Sequence, residues 1–72
     1  MMKSEIEEKA QFVSFCIEQY AKAKNMSAED VANLFEHYGI AAHFCEFYDE
    51  LHTHGHAWLI EEIDEMINAR KQ

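Results

Sequence analysis

The chain has 72 residues and a net charge of −8, which predicts one small acidic domain spanning residues 1–72. This charge disfavours nucleic acid and anionic membranes as partners, because both present negative phosphates. No apolar run is long enough to cross a membrane, and the charged start "MMKSEIEEKAQ" does not resemble a secretory signal, so we expect a cytoplasmic protein with reduced cysteines.

The first helix is predicted over residues 4–24. Ser4 is a candidate N-cap and Glu7 follows at the capping-box position, three residues on. Acidic residues occupy the first turns and lysines the last, as the helix dipole favours. One apolar stripe repeats at spacings of three and four residues, with Phe12 and Cys16 widening it on one side. The stripe comprises Ile6, Ala10, Val13, Ile17 and Tyr20.

Two shorter helices are predicted over residues 28–38 and 40–51. Ser27 is the candidate N-cap of the first, and Gly39 suits the left-handed turn between them. The buried side chains of the first are expected to be Val31, Leu34, Phe35 and Tyr38. Those of the second are expected to be Ile40, Phe44, Phe47, Tyr48 and Leu51.

A fourth helix is predicted over residues 56–70. Its inner stripe is Leu59, Ile60, Ile63, Met66 and Ile67, and its outer face is Glu61, Glu62, Asp64 and Glu65. Four apolar stripes supply one shared core. The predicted fold is therefore all-α, a compact bundle of four helices.

The segments "FCIE-Y", "LF--YG" and "Y--LHT-G----I--I---I" together resemble a family of short stand-alone bacterial proteins known only as a domain of unknown function. Such proteins occur in gut-associated Firmicutes and their relatives. The resemblance covers nearly the whole chain and implies a helical fold with no established activity. It also suggests a link to ADP-ribosyltransferase-like proteins, and with it an antitoxin-like or regulatory role.

Three histidines, His52, His54 and His56, occupy five positions before the last helix. Imidazole binds metals and titrates near neutral pH, so a metal- or pH-responsive protein is one interpretation. Three rings would share one side only in an extended segment, however, and Gly55 and the helix start oppose that. The alternative is a structural turn in which His52 closes the preceding helix and Thr53 caps the next turn.

Catalysis is not expected, and no cofactor is predicted. Cys16 and Cys45 lie within helices on or beside apolar stripes, where a thiol behaves as a small hydrophobe. No Glu-x-x-His motif of the di-iron bundles is present, and Asp49 with His52 is the nearest pair. A helix-turn-helix DNA reader is disfavoured because its recognition helix would be acidic.

Interaction with a protein is therefore the predicted function, through exposed aromatic and acidic side chains. Residues 25–69 hold ten acidic residues and no lysine or arginine, so a basic protein partner matches them electrostatically. Self-association as a homodimer is the other possibility. Phe15 and Trp58 point away from the apolar stripes and are candidate anchors, unless Trp58 has the local role of covering the 52–56 turn. The predicted contact residues are Phe15, Trp58, Glu46, Glu50, Glu61, Glu62 and Glu65.

Overall fold

The structure is a computed structural model that describes residues 4–71. Its helices are α1 (Glu5–Lys24), α2 (Ala28–His37), α3 (Ile40–Glu46), α4 (Tyr48–Leu51) and α5 (His56–Arg70). The described residues contain no β-strand, so the all-α prediction is confirmed. The predicted number of four helices is wrong, because residues 4–71 form five. None of them is long and apolar enough to cross a membrane.

Both ends of α1 satisfy backbone groups that a helix leaves unpaired, the first through a side chain and the last through the backbone. The Glu7 N–H donates to Ser4 Oγ at 3.1 Å, as the capping signal predicts. At the other end Asn25 adopts a left-handed conformation with φ of 56°. The Met26 N–H then donates to the Ala21 carbonyl at 2.9 Å, which closes a Schellman-type end. This role of Asn25 was not predicted, because no glycine marks the end of α1.

The turn between α2 and α3 is built around Gly39. The Asp30 N–H donates to Ser27 Oγ at 3.1 Å and starts α2. Gly39 has φ of +69°, so the predicted left-handed turn is confirmed. The Arg70 guanidinium, at the end of α5, donates to the Tyr38 carbonyl and ties the two parts of the chain together.

The predicted third helix is interrupted at Phe47. This residue has φ of −104° and ψ of 26°, outside the α-helical region, so the helix ends and a short new one begins. The Glu50 N–H bonds back to the Phe47 carbonyl at 3.2 Å in a tight turn. The break lets Tyr48 pack edge-on against Phe12 while Phe47 stays 43% exposed. The prediction that Phe47 is buried is therefore wrong.

One cluster of buried side chains joins the helices. Aromatic rings form its centre: Phe35 lies 6.2 Å from the Tyr20 ring and 6.3 Å from the Phe44 ring. Phe12 stacks on Phe44 at 5.9 Å and extends the cluster toward α4. The buried residues are Cys16, Tyr20, Ala21, Val31, Phe35, Ile40, Phe44, Leu51, Leu59, Ile63, Met66 and Ile67.

The buried face of α1 is rotated from its predicted position. Cys16 and Tyr20 form its centre, whereas Ile6 is 80% exposed and Ala10 is also exposed. With 20 residues, α1 is about 30 Å long. It contacts α4 through Phe12, which lies six residues after Ile6, between one and two turns further along the helix. Within residues 4–71, the first turns thus have no apolar neighbour that buries Ile6. The inner stripe predicted for α5 is confirmed, with Ile60 only half-buried.

Candidate functional site

The outward side of α5 carries one tryptophan followed by three glutamates. Trp58, Glu61, Glu62 and Glu65 are spaced i, i+3, i+4 and i+7, which places them along one side of a helix. We call these four residues the α5 outer face. Trp58 is 39% exposed, Glu61 and Glu65 are exposed, and Glu62 is half-buried.

The negative charge of the α5 outer face is not neutralised within residues 4–71. Ion pairs there join Lys9 to Glu5 and Lys24 to Asp64, and none involves Glu61, Glu62 or Glu65. Glutamates at i, i+3 and i+4 repel one another by a few tenths of a kcal/mol per pair. A basic partner would relieve this repulsion, because its cations would lie between the carboxylates.

Asp64 was predicted to point outward with these glutamates, and the structure corrects this. Its carboxylate accepts hydrogen bonds of 2.7 Å from both the Tyr20 hydroxyl and the Lys24 ammonium. Partial burial acts to raise the Asp64 pKa, but the bonds from Lys24 and Tyr20 outweigh it and hold the pKa below its usual 3.8. Burial and the bond to Asp64 raise the Tyr20 pKa. Asp64 therefore fastens α5 to α1.

The other predicted contact residues lie on different helices. Phe15 is 42% exposed on α1, and Glu46 and Glu50 are exposed on α3 and α4. Glu46 and Glu50 flank Phe47, whose ring lies 4.7 Å from the His43 ring. Phe47 is thus a third exposed aromatic beside acidic residues. The sequence did not predict this exposure, because in a continuous helix Phe47 would fall on the buried stripe.

Phe15 lines a groove between α1 and α4 with a volume of about 350 Å³. We call it the α1–α4 groove, and the residues around it are Glu8, Gln11, Phe12, Phe15, Tyr48 and His52. The Tyr48 ring stacks on the His52 ring at 4.5 Å and meets the Phe12 ring edge-on at 5.4 Å. Three aromatic rings and an imidazole therefore surround a space bordered by one carboxylate and one amide.

Two of the three neighbouring histidines make contacts within their own segment. His52 caps α4, as predicted, and its Nδ1 lies 2.6 Å from the Tyr48 carbonyl oxygen, so this nitrogen carries the hydrogen. The His54 ring stacks on Trp58 at 3.7 Å. His56 begins α5 and is exposed. The contact between His54 and Trp58 is the local role considered for the tryptophan.

Thr53 was predicted to cap the next turn, but its side chain bonds backward to the preceding helix. Its hydroxyl donates to the Glu50 carbonyl at 2.8 Å and so satisfies a free group at the end of α4. Gly55 occupies the N-cap position of α5 with no side-chain bond.

A metal centre at these histidines has no supporting geometry. Over residues 4–71, no three histidine, cysteine, aspartate or glutamate side chains are grouped so that they could hold a metal ion. His52 and His54 instead face different aromatic neighbours, Tyr48 and Trp58.

The two cysteines are free thiols in different environments. Cys16 is 2% exposed, and burial raises its pKa to about 12. Cys45 is half-buried. The nucleophilic form of cysteine is the thiolate, so Cys16 is held in its unreactive form.

We expect iodoacetamide to alkylate Cys45 at least about tenfold faster than Cys16 in the native protein at mildly alkaline pH, because Cys16 is both shielded and protonated. Peptide mass spectrometry over a time course measures both rates. The two rates should become equal in concentrated guanidinium chloride. Equal rates in the native protein would contradict the burial of Cys16.

Comparison with known proteins identifies a family but no activity. Residues 11–70 match the sequence model of a family described as "Protein of unknown function (DUF3791)". The search of curated proteins and that of solved structures gave no match. The family assignment thus agrees with the predicted resemblance to a small domain of unknown function.

Proposed function

Since the chain belongs to the DUF3791 family of proteins of unknown function, we propose from its surface that it is a non-enzymatic module that binds a basic protein partner through the α5 outer face. One observation carries the proposal. An exposed tryptophan is followed, along one side of a helix, by three glutamates that have no cation partner within residues 4–71.

The chemistry of the α5 outer face favours a positively charged helix or loop as its ligand. An arginine or lysine over the Trp58 indole would gain a cation–π contact, and further cations would pair with Glu61 and Glu65. Tryptophan is enriched among the residues that dominate binding energy at interfaces. Trp58 is also held by the stacked His54 ring, so part of its ordering is already achieved in the free protein.

The proposal is tested by capture from the native cell with the wild-type protein and with the variant Trp58→Ser, Glu61→Gln, Glu62→Gln, Glu65→Gln. We expect a partner held by the wild type to be lost from the variant by at least about tenfold, because a central aromatic anchor and its charges are removed together. Binding should also weaken as salt is added, since exposed charge pairs are screened. Light scattering of the pure protein measures self-association.

A matched control neutralises three glutamates elsewhere: Glu7→Gln, Glu18→Gln, Glu36→Gln. All three side chains are exposed and lie outside the α5 outer face. The control should retain the partner. Loss of the partner from both variants would show a dependence on net charge alone and would contradict a defined face. If the wild type forms a dimer and the variant with Trp58→Ser does not, the ligand of the α5 outer face would be a second copy of this chain and not a basic protein.

The resemblance to short stand-alone bacterial proteins supports a toxin-like enzyme as the partner. We propose that the module neutralises an ADP-ribosyltransferase-like protein by covering it with the α5 outer face. Mass spectrometry of the captured material tests this part of the proposal separately. A specific partner of another class would overturn the antitoxin role and leave the proposed face intact.

A further inference from the structure

We propose that the α1–α4 groove is a second binding site, which takes one arginine side chain of a protein partner. This inference builds on the proposed interaction function and locates a contact outside the α5 outer face. It does not depend on identifying the partner.

The dimensions of the groove suit one side chain. Its volume of about 350 Å³ is near the lower end of the range for small-molecule sites, roughly 300–1,000 Å³. Its lining is mostly aromatic: the Tyr48 ring stacks on the His52 ring and meets the Phe12 ring edge-on. Phe15, 42% exposed, lies on the α1 side. A planar group entering the groove would therefore contact aromatic side chains, of which Phe15 and His52 are exposed.

The charge of the groove selects a cation. Glu8 lies at its border, and no ion pair involves this carboxylate within residues 4–71. Among residues 4–71, no lysine or arginine lines the groove. A carboxylate beside aromatic faces attracts a cation through both Coulomb and cation–π interactions. Lys9 is adjacent in sequence but pairs with Glu5 at 3.0 Å instead.

Arginine fits this combination better than lysine does. Its guanidinium is planar, stacks on aromatic faces, and presents several N–H donors, whereas the lysine ammonium is compact and strongly hydrated. The Glu8 carboxylate would accept from the guanidinium edge while the guanidinium plane lies against the aromatic lining of the groove. A second copy of this chain cannot supply the guanidinium without losing a contact of its own fold. Its single arginine, Arg70, already bonds to the Tyr38 carbonyl.

The groove is tested with N-acetyl-arginine amide added to the isotope-labelled full chain, followed by NMR. We expect weak, saturable shifts at the backbone amides of Phe15 and His52 and no shift along Glu61–Glu65. The Glu8→Gln variant should raise Kd about threefold, as for loss of one exposed charge pair. The Phe15→Ala variant should raise it by a similar factor, about threefold, through loss of an aromatic face.

Matched ligands and variants make the result decisive. N-acetyl-citrulline amide has nearly the shape of the arginine probe without its charge, and should bind at least about threefold more weakly. The Glu18→Gln control changes the same charge on α1 outside the groove and should leave Kd unchanged. Equal binding of citrulline or of N-acetyl-lysine amide would overturn the arginine site. Shifts confined to α5 would also overturn it and would leave the proposed α5 outer face standing.

Discussion

Phe44→Ala should destabilise the protein by about 3–5 kcal/mol, the usual cost of removing a buried phenylalanine ring. Phe44 is fully buried, and its ring lies within 6.3 Å of the Phe12 and Phe35 rings. It therefore joins α3 to both α1 and α2. A seven-residue helix such as α3 does not form on its own, so its packing determines whether it exists.

The expected loss is a large part of the total stability. At roughly 0.05–0.15 kcal/mol per residue, a chain of this length has a free energy of unfolding of about 4–11 kcal/mol. Urea unfolding followed by circular dichroism should show a lower midpoint for Phe44→Ala, or no cooperative transition. Phe44→Leu gives a measurable intermediate case if the alanine variant does not fold.

Phe15→Ala is the matched control for this prediction, because the same atoms are removed at a position that is 42% exposed. We expect it to cost less than about 1 kcal/mol. Similar losses for Phe44 and Phe15 would show that the aromatic cluster is not the main source of stability.

Apolar periodicity located most of the fold because burial recurs with the helical repeat. It predicted the inner stripe of α5 and the buried Phe35, Ile40 and Phe44, all of which the structure confirms. It did not reveal how far each helix is covered by its neighbours. Ile6 fits the α1 stripe by spacing, yet no element packs over it. Spacing identifies the side of a helix only approximately, as the rotated face of α1 shows, and coverage also depends on the relative lengths of several helices.

Breaks in the backbone within a helix were harder to predict than the apolar stripes. Phe47 is apolar and correctly spaced for a continuous helix, and no glycine or proline marks the break there. The break accompanies a contact between Tyr48 and Phe12. Because Phe12 lies on α1, far away in the chain, the sequence around Phe47 gives no sign of this contact. Asp64 was misplaced for a similar reason, because its partners Tyr20 and Lys24 lie on another helix.

The candidate site was only partly predictable. Trp58 with Glu61, Glu62 and Glu65 follows from helical spacing within one element, and the structure leaves these side chains on the outward side. The α1–α4 groove required residues from two helices about 40 positions apart in the chain, such as Phe12 and Tyr48. Its local signals were two separate sets: Tyr48 and His52 lie four residues apart, and the other lining residues share one side of α1 by spacing. These are Glu8, Gln11, Phe12 and Phe15.

Gly39→Ala should destabilise the protein by about 1–2 kcal/mol, the typical cost of a left-handed conformation for a residue with a Cβ. Gly39 has φ of +69°, and an added Cβ would lie 3.1 Å from Nη1 of Arg70. The guanidinium would have to move, which weakens its bond to the Tyr38 carbonyl. For a domain of this size the change corresponds to a melting temperature lower by about 4–16 °C.

Gly55→Ala is the matched control, since the substitution is the same but the backbone differs. Gly55 has φ of −71° and ψ of 161°, and an added Cβ would meet no atom within 4 Å. Alanine is a poorer N-cap than glycine, but it also restricts the unfolded chain, and the two effects on stability offset each other. We therefore expect the free energy of unfolding to change by no more than about 0.5 kcal/mol. Gly39→Asn should cost less than Gly39→Ala, because asparagine tolerates the left-handed region, as Asn25 does in this chain. Thermal melting of the three variants tests whether the backbone conformation of Gly39 is the cause. Equal decreases in stability for Gly39→Ala and Gly55→Ala would mean that this conformation does not control the α2–α3 turn.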